Sequence, residues 1–132
     1  MSEEKKVVPD ASVLVKWFVK EECSEKALKI RDSYIEGKIK IIAPELIIFE
    51  VLNALRYKGL FTEPELEEIS EALDAFSFEL RPLRGSYAKK TVETAFKNNI
   101  TIYDSSYITL ALEENAEFFT ADEDLIKLKL GK

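Results

Sequence analysis

The sequence has no histidine among its 132 residues, so every mechanism that needs an imidazole base is excluded by inventory. That covers serine-protease triads and His-paired RNA cleavage through the 2′-OH alike. A single cysteine, Cys23, excludes an intramolecular disulfide and any thiolate-rich zinc site, and it fits a reducing compartment. No stretch approaches the roughly 20 apolar residues of a membrane span. The charged start, Met1 to Lys6, runs directly into a short apolar segment, so the expectation is a soluble, unprocessed, cytoplasmic chain. Positive charge is also short: 19 Lys and Arg face 25 Asp and Glu, a formal charge of −6. This balance argues against a general basic surface for holding nucleic acid, so any such role must be local, where bound divalent metal could supply the missing charge. Glutamine is absent and asparagine scarce, while 33% of residues are charged. That profile matches proteins that work hot and points to a thermophilic source.

What is present is an ordinary apolar fraction of 46% in a chain of one-domain size, with no repeat, low-complexity tract or Gly/Ser linker. A single domain over 1–132 is expected. Lys6-Val7-Val8-Pro9 reads as a buried strand, and Asp10-Ala11-Ser12 opens a helix through Phe18. A second helix is expected from Ser24, as N-cap, to Gly37, as C-terminal stop. Lys40 to Ala43 reads as a strand, with Pro44 in the first turn of a helix running to Lys58-Gly59. Thr62 caps the next helix, which carries Pro64 and acids in its first turn. Phe78 to Leu83 is a weaker strand and Ser86 to Asn98 a helix. Ile100 to Tyr103 reads as a strand, Asp104 to Glu114 as a helix, Glu117 to Thr120 as a strand, and a final helix follows. Strands alternating with helices predict an α/β protein, a three-layer α/β/α sandwich around a short-stranded parallel sheet.

Three predicted strands end in an acid that opens a helix, at Asp10, Asp104 and Asp122. Loops at the carboxyl ends of parallel strands share one side of the sheet, so these acids can converge on one crevice. Carboxylates gathered without basic partners repel one another, and a divalent cation is the usual reason to tolerate the cluster. Each acid also has a plain reading as a helix cap. Asp104 can cap its own helix, and either Thr120 with Glu123 or Asp122 can cap the last one. Glu50 falls on the flank of the apolar side of its helix, which centres between Ile48 and Val51. Asn53 and Tyr57 share that flank, so periodicity leaves open a half-exposed structural Glu or a functional one.

These residues resemble a known family. Asp10-Ala11-Ser12, Pro44-Glu45-Leu46 through Glu50 and Asn53-Ala54-Leu55, Tyr103 to Tyr107 with Ala111, and Thr120-Ala121-Asp122 with Leu125 are similar to the PIN domain. The nearest pattern is that of the VapC-type toxins of prokaryotic toxin–antitoxin pairs. The likeness spans nearly the whole chain and rests on the four fragments standing in the right order. It implies a parallel sheet between helices, Mg²⁺ or Mn²⁺ held by Asp10, Glu50 and Asp104 with Asp122 as a more variable fourth acid, and support from Ser12, Asn53 and Thr120. Asp124 and Glu123 compete for the fourth position, and Asp122 keeps the family-like spacing after Thr120. Pro9 departs from the pattern without removing a ligand.

With no imidazole present, the resemblance implies endonucleolytic RNA cleavage by metal-activated water, leaving a 5′-phosphate and a 3′-hydroxyl. It also implies two partners besides RNA: a second copy of the chain and a small antitoxin laid along a groove near Glu50. Apolar residues on two central helices, namely Leu46, Phe49, Leu66, Ile69, Leu73 and Phe76, exceed what one sheet face obviously needs. A phosphoacceptor receiver domain would require adjacent early acids and a Lys after a late strand. A haloacid-dehalogenase-like phosphatase would require Asp-x-Asp where Asp10-Ala11-Ser12 stands. A non-catalytic binding module on the same fold, with the acids as caps, is the remaining alternative.

Overall fold

A computed structural model describes residues 5–122 and Leu125. Four strands, β1 (Lys5–Pro9), β2 (Ile39–Pro44), β3 (Glu79–Arg81) and β4 (Glu117–Phe119), form one parallel sheet in the order β3-β2-β1-β4. The chain moves outward from β1 to β2 to β3, then returns to the far side of β1. The order therefore reverses between β1 and β4, the position where α/β sheets open a crevice at their carboxyl ends. Val7, Val8, Ile41, Ile42 and Ala43 are almost fully buried, as strands covered on both faces must be. The six helices are α1 (Ala11–Val15), α2 (Ser24–Ile35), α3 (Leu46–Lys58), α4 (Glu63–Ala75), α5 (Gly85–Asn98) and α6 (Ile102–Glu113) among the described residues.

Pairing is staggered. β1 pairs with β2 over Lys5–Val7 and with β4 over Val7–Pro9, while β2 pairs with β1 over Ile39–Ile41 and with β3 over Ile42–Pro44. Pro9, which lacks an N–H, thus lies beyond the β1–β2 ladder and costs it no hydrogen bond. Its successor Asp10 donates its amide to the Phe119 carbonyl at 3.0 Å, tying the end of β1 to the end of β4.

Several expectations are corrected. Ile100–Tyr103 is not a strand. Asn99 ends α5 in the left-handed region, and Thr101 caps α6 by accepting the Asp104 amide at 3.0 Å. The β-branched run reflects a weak propensity overridden by this cap, and Ile102 and Tyr103 are exposed rather than core. Ser24 is not a cap either. It is buried in the first turn of α2, where its hydroxyl accepts the Glu21 amide and donates to the Val19 carbonyl, and the cap position belongs to Cys23. Pro44 closes β2 instead of opening α3, and the strands end sooner than expected, at Arg81 and Phe119. Of the expected last helix only Leu125 lies inside the described residues, and it is buried.

The surplus of apolar surface expected on α4 is mostly absent. Leu73 is buried, Leu66 and Ile69 pack half-buried against the core, and Phe76 sits between Trp17, at 5.2 Å edge-on, and Phe78, stacked at 5.5 Å. Leu46 likewise packs against the core, whereas Phe49 is 76% exposed. The end signals at Thr62, Glu65 and Gly59 act as such: a reciprocal Thr62–Glu65 capping box opens α4, and Gly59 ends α3 at φ 68°.

Helix α6 organises one wall of the crevice. Ser105 through Ala111 are all buried, because α6 lies between α5 and the sheet and has no solvent side over those two turns. Its polar groups are satisfied inside: Ser105 Oγ donates to the Thr91 carbonyl at 2.6 Å, and Tyr87 donates to the Ser106 carbonyl at 2.7 Å. Burial pushes the Tyr87 phenol up to about 12, so it remains a donor throughout the working range.

Candidate active site

Asp10 follows β1 directly and is 6% exposed. One carboxylate oxygen accepts the Ser12 amide at 3.1 Å and the Ser12 hydroxyl, and the other accepts the Thr120 hydroxyl. Ser12 and Thr120 are themselves fixed: the Ala121 amide donates to Ser12 Oγ at 2.9 Å and the Asp122 amide to Thr120 Oγ1 at 3.0 Å. The ends of β1 and β4 are thus laced through one carboxylate. Burial raises the Asp10 carboxyl above its ordinary value, and the hydrogen bonds from Ser12, Thr120 and backbone amides only partly offset this.

Glu50 lies half-buried on α3 and accepts a hydrogen bond of 2.5 Å from the phenol of Tyr107, which is 2% exposed on α6. Its carboxyl is raised first by burial and then by the negative charges of Asp104 and Asp10, with the Tyr107 hydroxyl acting in the opposite direction. Asp104, half-buried at the third position of α6, is raised by burial and by the charge of Asp122, against the hydrogen bond of Thr101. Thr101 supplies the cap, so Asp104 does not need to be one.

The four acids therefore feel one another across a single crevice, from Asp10 to Glu50 to Asp104 to Asp122. They do not form a closed cage: among the described residues no three His, Cys, Asp or Glu side chains stand as a ready cation group. Asp122 is exposed, and its side chain accepts the Leu125 amide at 3.4 Å. Glu123 and Asp124, its competitors, lie outside the described residues. Asn53 stands exposed one turn after Glu50 and joins no hydrogen bond with the acids in the described structure.

The donor set nevertheless fits a hard divalent cation. Asp10, Glu50 and Asp104 offer oxygen only, form no ion pair among the described residues, and are desolvated and mutually repelling, the state that a cation relieves. Tyr107 is the one member that sequence reasoning missed as a site residue. The available signal was its place three residues after Asp104, one turn along the same helical face.

Comparison with known proteins gives a consistent picture. A family model described as the PIN domain matches residues 7–130. The ribonuclease VapC3 of Pyrobaculum aerophilum is 31% identical over 126 residues, covering 91% of this chain and 92% of that protein. Among solved structures, the sarcin–ricin loop-cleaving toxin VapC20 of Mycobacterium tuberculosis superposes with a TM-score of 0.72 at 9% identity, covering 96% of this chain and 98% of that one. A toxin–antitoxin complex from Klebsiella pneumoniae gives 0.68 at 14% identity, covering 92% and 91%. At such low identity these two structures speak to the fold alone.

Proposed function

The chain belongs to the PIN-domain family, and from that premise we propose that it is a divalent-metal-dependent endoribonuclease, the toxin of a type II toxin–antitoxin pair acting in the cytoplasm. The observation that carries the reading is the set of desolvated, mutually repelling carboxylates Asp10, Glu50 and Asp104 at the carboxyl end of the sheet, braced by neutral hydroxyls instead of by cations. The name of the 31% identical relative supplies the substrate class, RNA.

In this reading Asp10, Glu50 and Asp104 hold Mg²⁺ or Mn²⁺, with Asp122 at the rim as the fourth acid. When bound, the cation lowers the pKa of water and neutralises charge at the phosphate and the leaving oxygen. The protein's own contribution is positional. Ser12 and Thr120 fix both oxygens of Asp10, Tyr107 fixes one oxygen of Glu50, and the capped start of α6 fixes the backbone of Asp104. Asn53 serves as an outer support reachable from the same flank of α3.

Two protein partners belong to the proposal. Exposed apolar side chains lie along α3 and just beyond it, at Phe49, Tyr57 and Leu60, and on α5 at Val92 and Phe96. One such face suits a second copy of the chain, and the α3 face near Glu50 suits a short amphipathic antitoxin segment. The testing experiment is incubation of single-stranded RNA with the protein in Mg²⁺ or Mn²⁺, in chelator, and with Asp10→Asn or Asp104→Asn. Cleavage is expected only in metal with the unmodified acids. Full-rate cleavage in excess chelator would overturn the metal-dependent reading.

A further inference from the structure

A cavity of about 520 Å³ opens between α1, α2 and the end of β4. This volume falls within the roughly 300–1,000 Å³ typical of small-ligand sites. Its floor is apolar, built from Val13, Ala27, Ile30 and Phe119, and one wall is the Thr120–Ala121 backbone. That wall is shared with the active site, because Thr120 donates to Asp10 and the Ala121 amide donates to Ser12. None of the candidate acids lines the cavity, and the Thr120–Ala121 segment stands between it and the Asp10 carboxylate.

The rim carries an unusual charge for this chain. Among the described residues Lys16, Lys26 and Lys29 line it, against a single acid, Glu22, in a protein whose formal charge is −6. The Lys16 ammonium is held by the Glu22 carbonyl at 2.7 Å and by Glu21 at 3.5 Å. Lys26 and Lys29 are exposed and form no ion pair among the described residues. They stand three residues apart on α2 and so are neighbours on its surface.

Resting on the nuclease reading above, we propose that this cavity is a nucleotide subsite for the RNA strand flanking the scissile phosphate. A base lies on the apolar floor against Phe119, and the adjoining phosphates meet Lys26 and Lys29. An apolar, aromatic floor with a cationic rim is the combination that single-stranded nucleic acid requires, since every base has a π face and every linkage a negative charge. It also resolves how so acidic a chain engages a polyanion: attraction is concentrated at one edge of the crevice.

Cys23 gives a direct readout, because this only cysteine is exposed and lines the cavity. In chelator, a mixed-sequence single-stranded RNA should slow alkylation of Cys23 by a maleimide, and polyglutamate should not. In Lys26→Ala/Lys29→Ala the protection should disappear. In metal the same variant should raise KM for RNA more than it lowers kcat, and the log–log salt dependence of binding should flatten by about 0.7 for each phosphate that is no longer neutralised. Cleaving wild-type protein whose Cys23 is not protected by RNA overturns the subsite and leaves the nuclease reading intact. Protection by polyglutamate equal to that by RNA overturns the RNA assignment. Protection without cleavage in any metal keeps the RNA site and overturns the nuclease reading, while absence of both overturns both.

Discussion

Replacing Tyr107 by Phe removes one oxygen atom and leaves the buried ring in place, so any effect is that of the hydrogen bond to Glu50. A hydrogen bond to a charged acceptor contributes about 1.5–3 kcal/mol, and the lower part of that range applies because water can partly replace the donor at half-buried Glu50. A loss of about 1.5–2 kcal/mol is expected, equivalent to a fall in Tm of about 4–8 °C for a domain of this size. Urea or thermal unfolding in chelator at neutral pH measures it. A second effect follows on metal. Without the phenol, Glu50 loses its orientation and its carboxyl moves further up, so Mn²⁺ affinity by calorimetry should fall about 10–100-fold, as is usual when an outer partner of a ligand is removed. The acid limb of the cleavage profile should shift to higher pH, because Glu50 must be ionised to hold the cation. Wild-type stability together with wild-type Mn²⁺ affinity in Tyr107→Phe would refute the assignment of Tyr107 as a positioning residue.

In chelator, Asp104→Asn should leave thermal stability unchanged or raise it, since it relieves repulsion with Asp122 and Glu50, and it should weaken stabilisation by Mn²⁺; retained wild-type Mn²⁺ stabilisation would count against a shared metal site. Thr101→Ala, which removes the α6 cap, should instead cost on the order of 1 kcal/mol with or without metal, measured by the same unfolding curves. Asp10, Glu50 and Asp104 all have folded values raised above their ordinary 3.8, 4.5 and 3.8, so their stabilising contribution is complete below those values and is lost as pH rises through the folded ones. The opposite-signed Glu65 is exposed, and Glu21 and Glu79 sit partly in solvent in screened surface pairs, so in chelator Asp104→Asn should flatten the decline in stability that sets in as pH rises above the ordinary carboxyl values. Light scattering at micromolar concentration should show a dimer, and Phe96→Glu or Phe49→Glu should dissociate it if the corresponding face is the contact; a monomer that also captures no product of a neighbouring small reading frame would remove the toxin assignment.

The legible parts of this fold are those whose signals are local. Val7-Val8 and Ile41-Ile42 announce buried strands by composition alone, and Thr62 with Glu65 carries its own hydrogen-bonding logic within four residues. Ile100–Tyr103 misleads because β-branched residues next to an aromatic look the same whether a strand or a capped helix follows. The decision rests on Asn99 adopting φ 52° and on α5 and α6 packing together, which no local pattern encodes. The candidate acids are legible because strand-end placement and topology constrain them. Asp104 reaches the crevice by another route, from inside a helix. The Tyr107–Glu50 contact joins residues 57 apart in sequence and becomes visible only once α3 and α6 are placed.

The burial of α6 carries a consequence for how the protein fails on heating. Amides of Ser105 to Ala111 have no solvent face and are packed by α5 and the sheet, so they exchange with water only when the whole domain opens. The half of the crevice built on α6, with Asp104 and Tyr107, therefore persists to the melting point of the fold. The other half hangs on Thr120 and Asp122 at the end of the three-residue edge strand β4, where pairing is one-sided and Asp122 is already in solvent. On the nuclease reading, heating should therefore abolish RNA cleavage at a lower temperature than it abolishes the helical signal, with the loss starting at that edge.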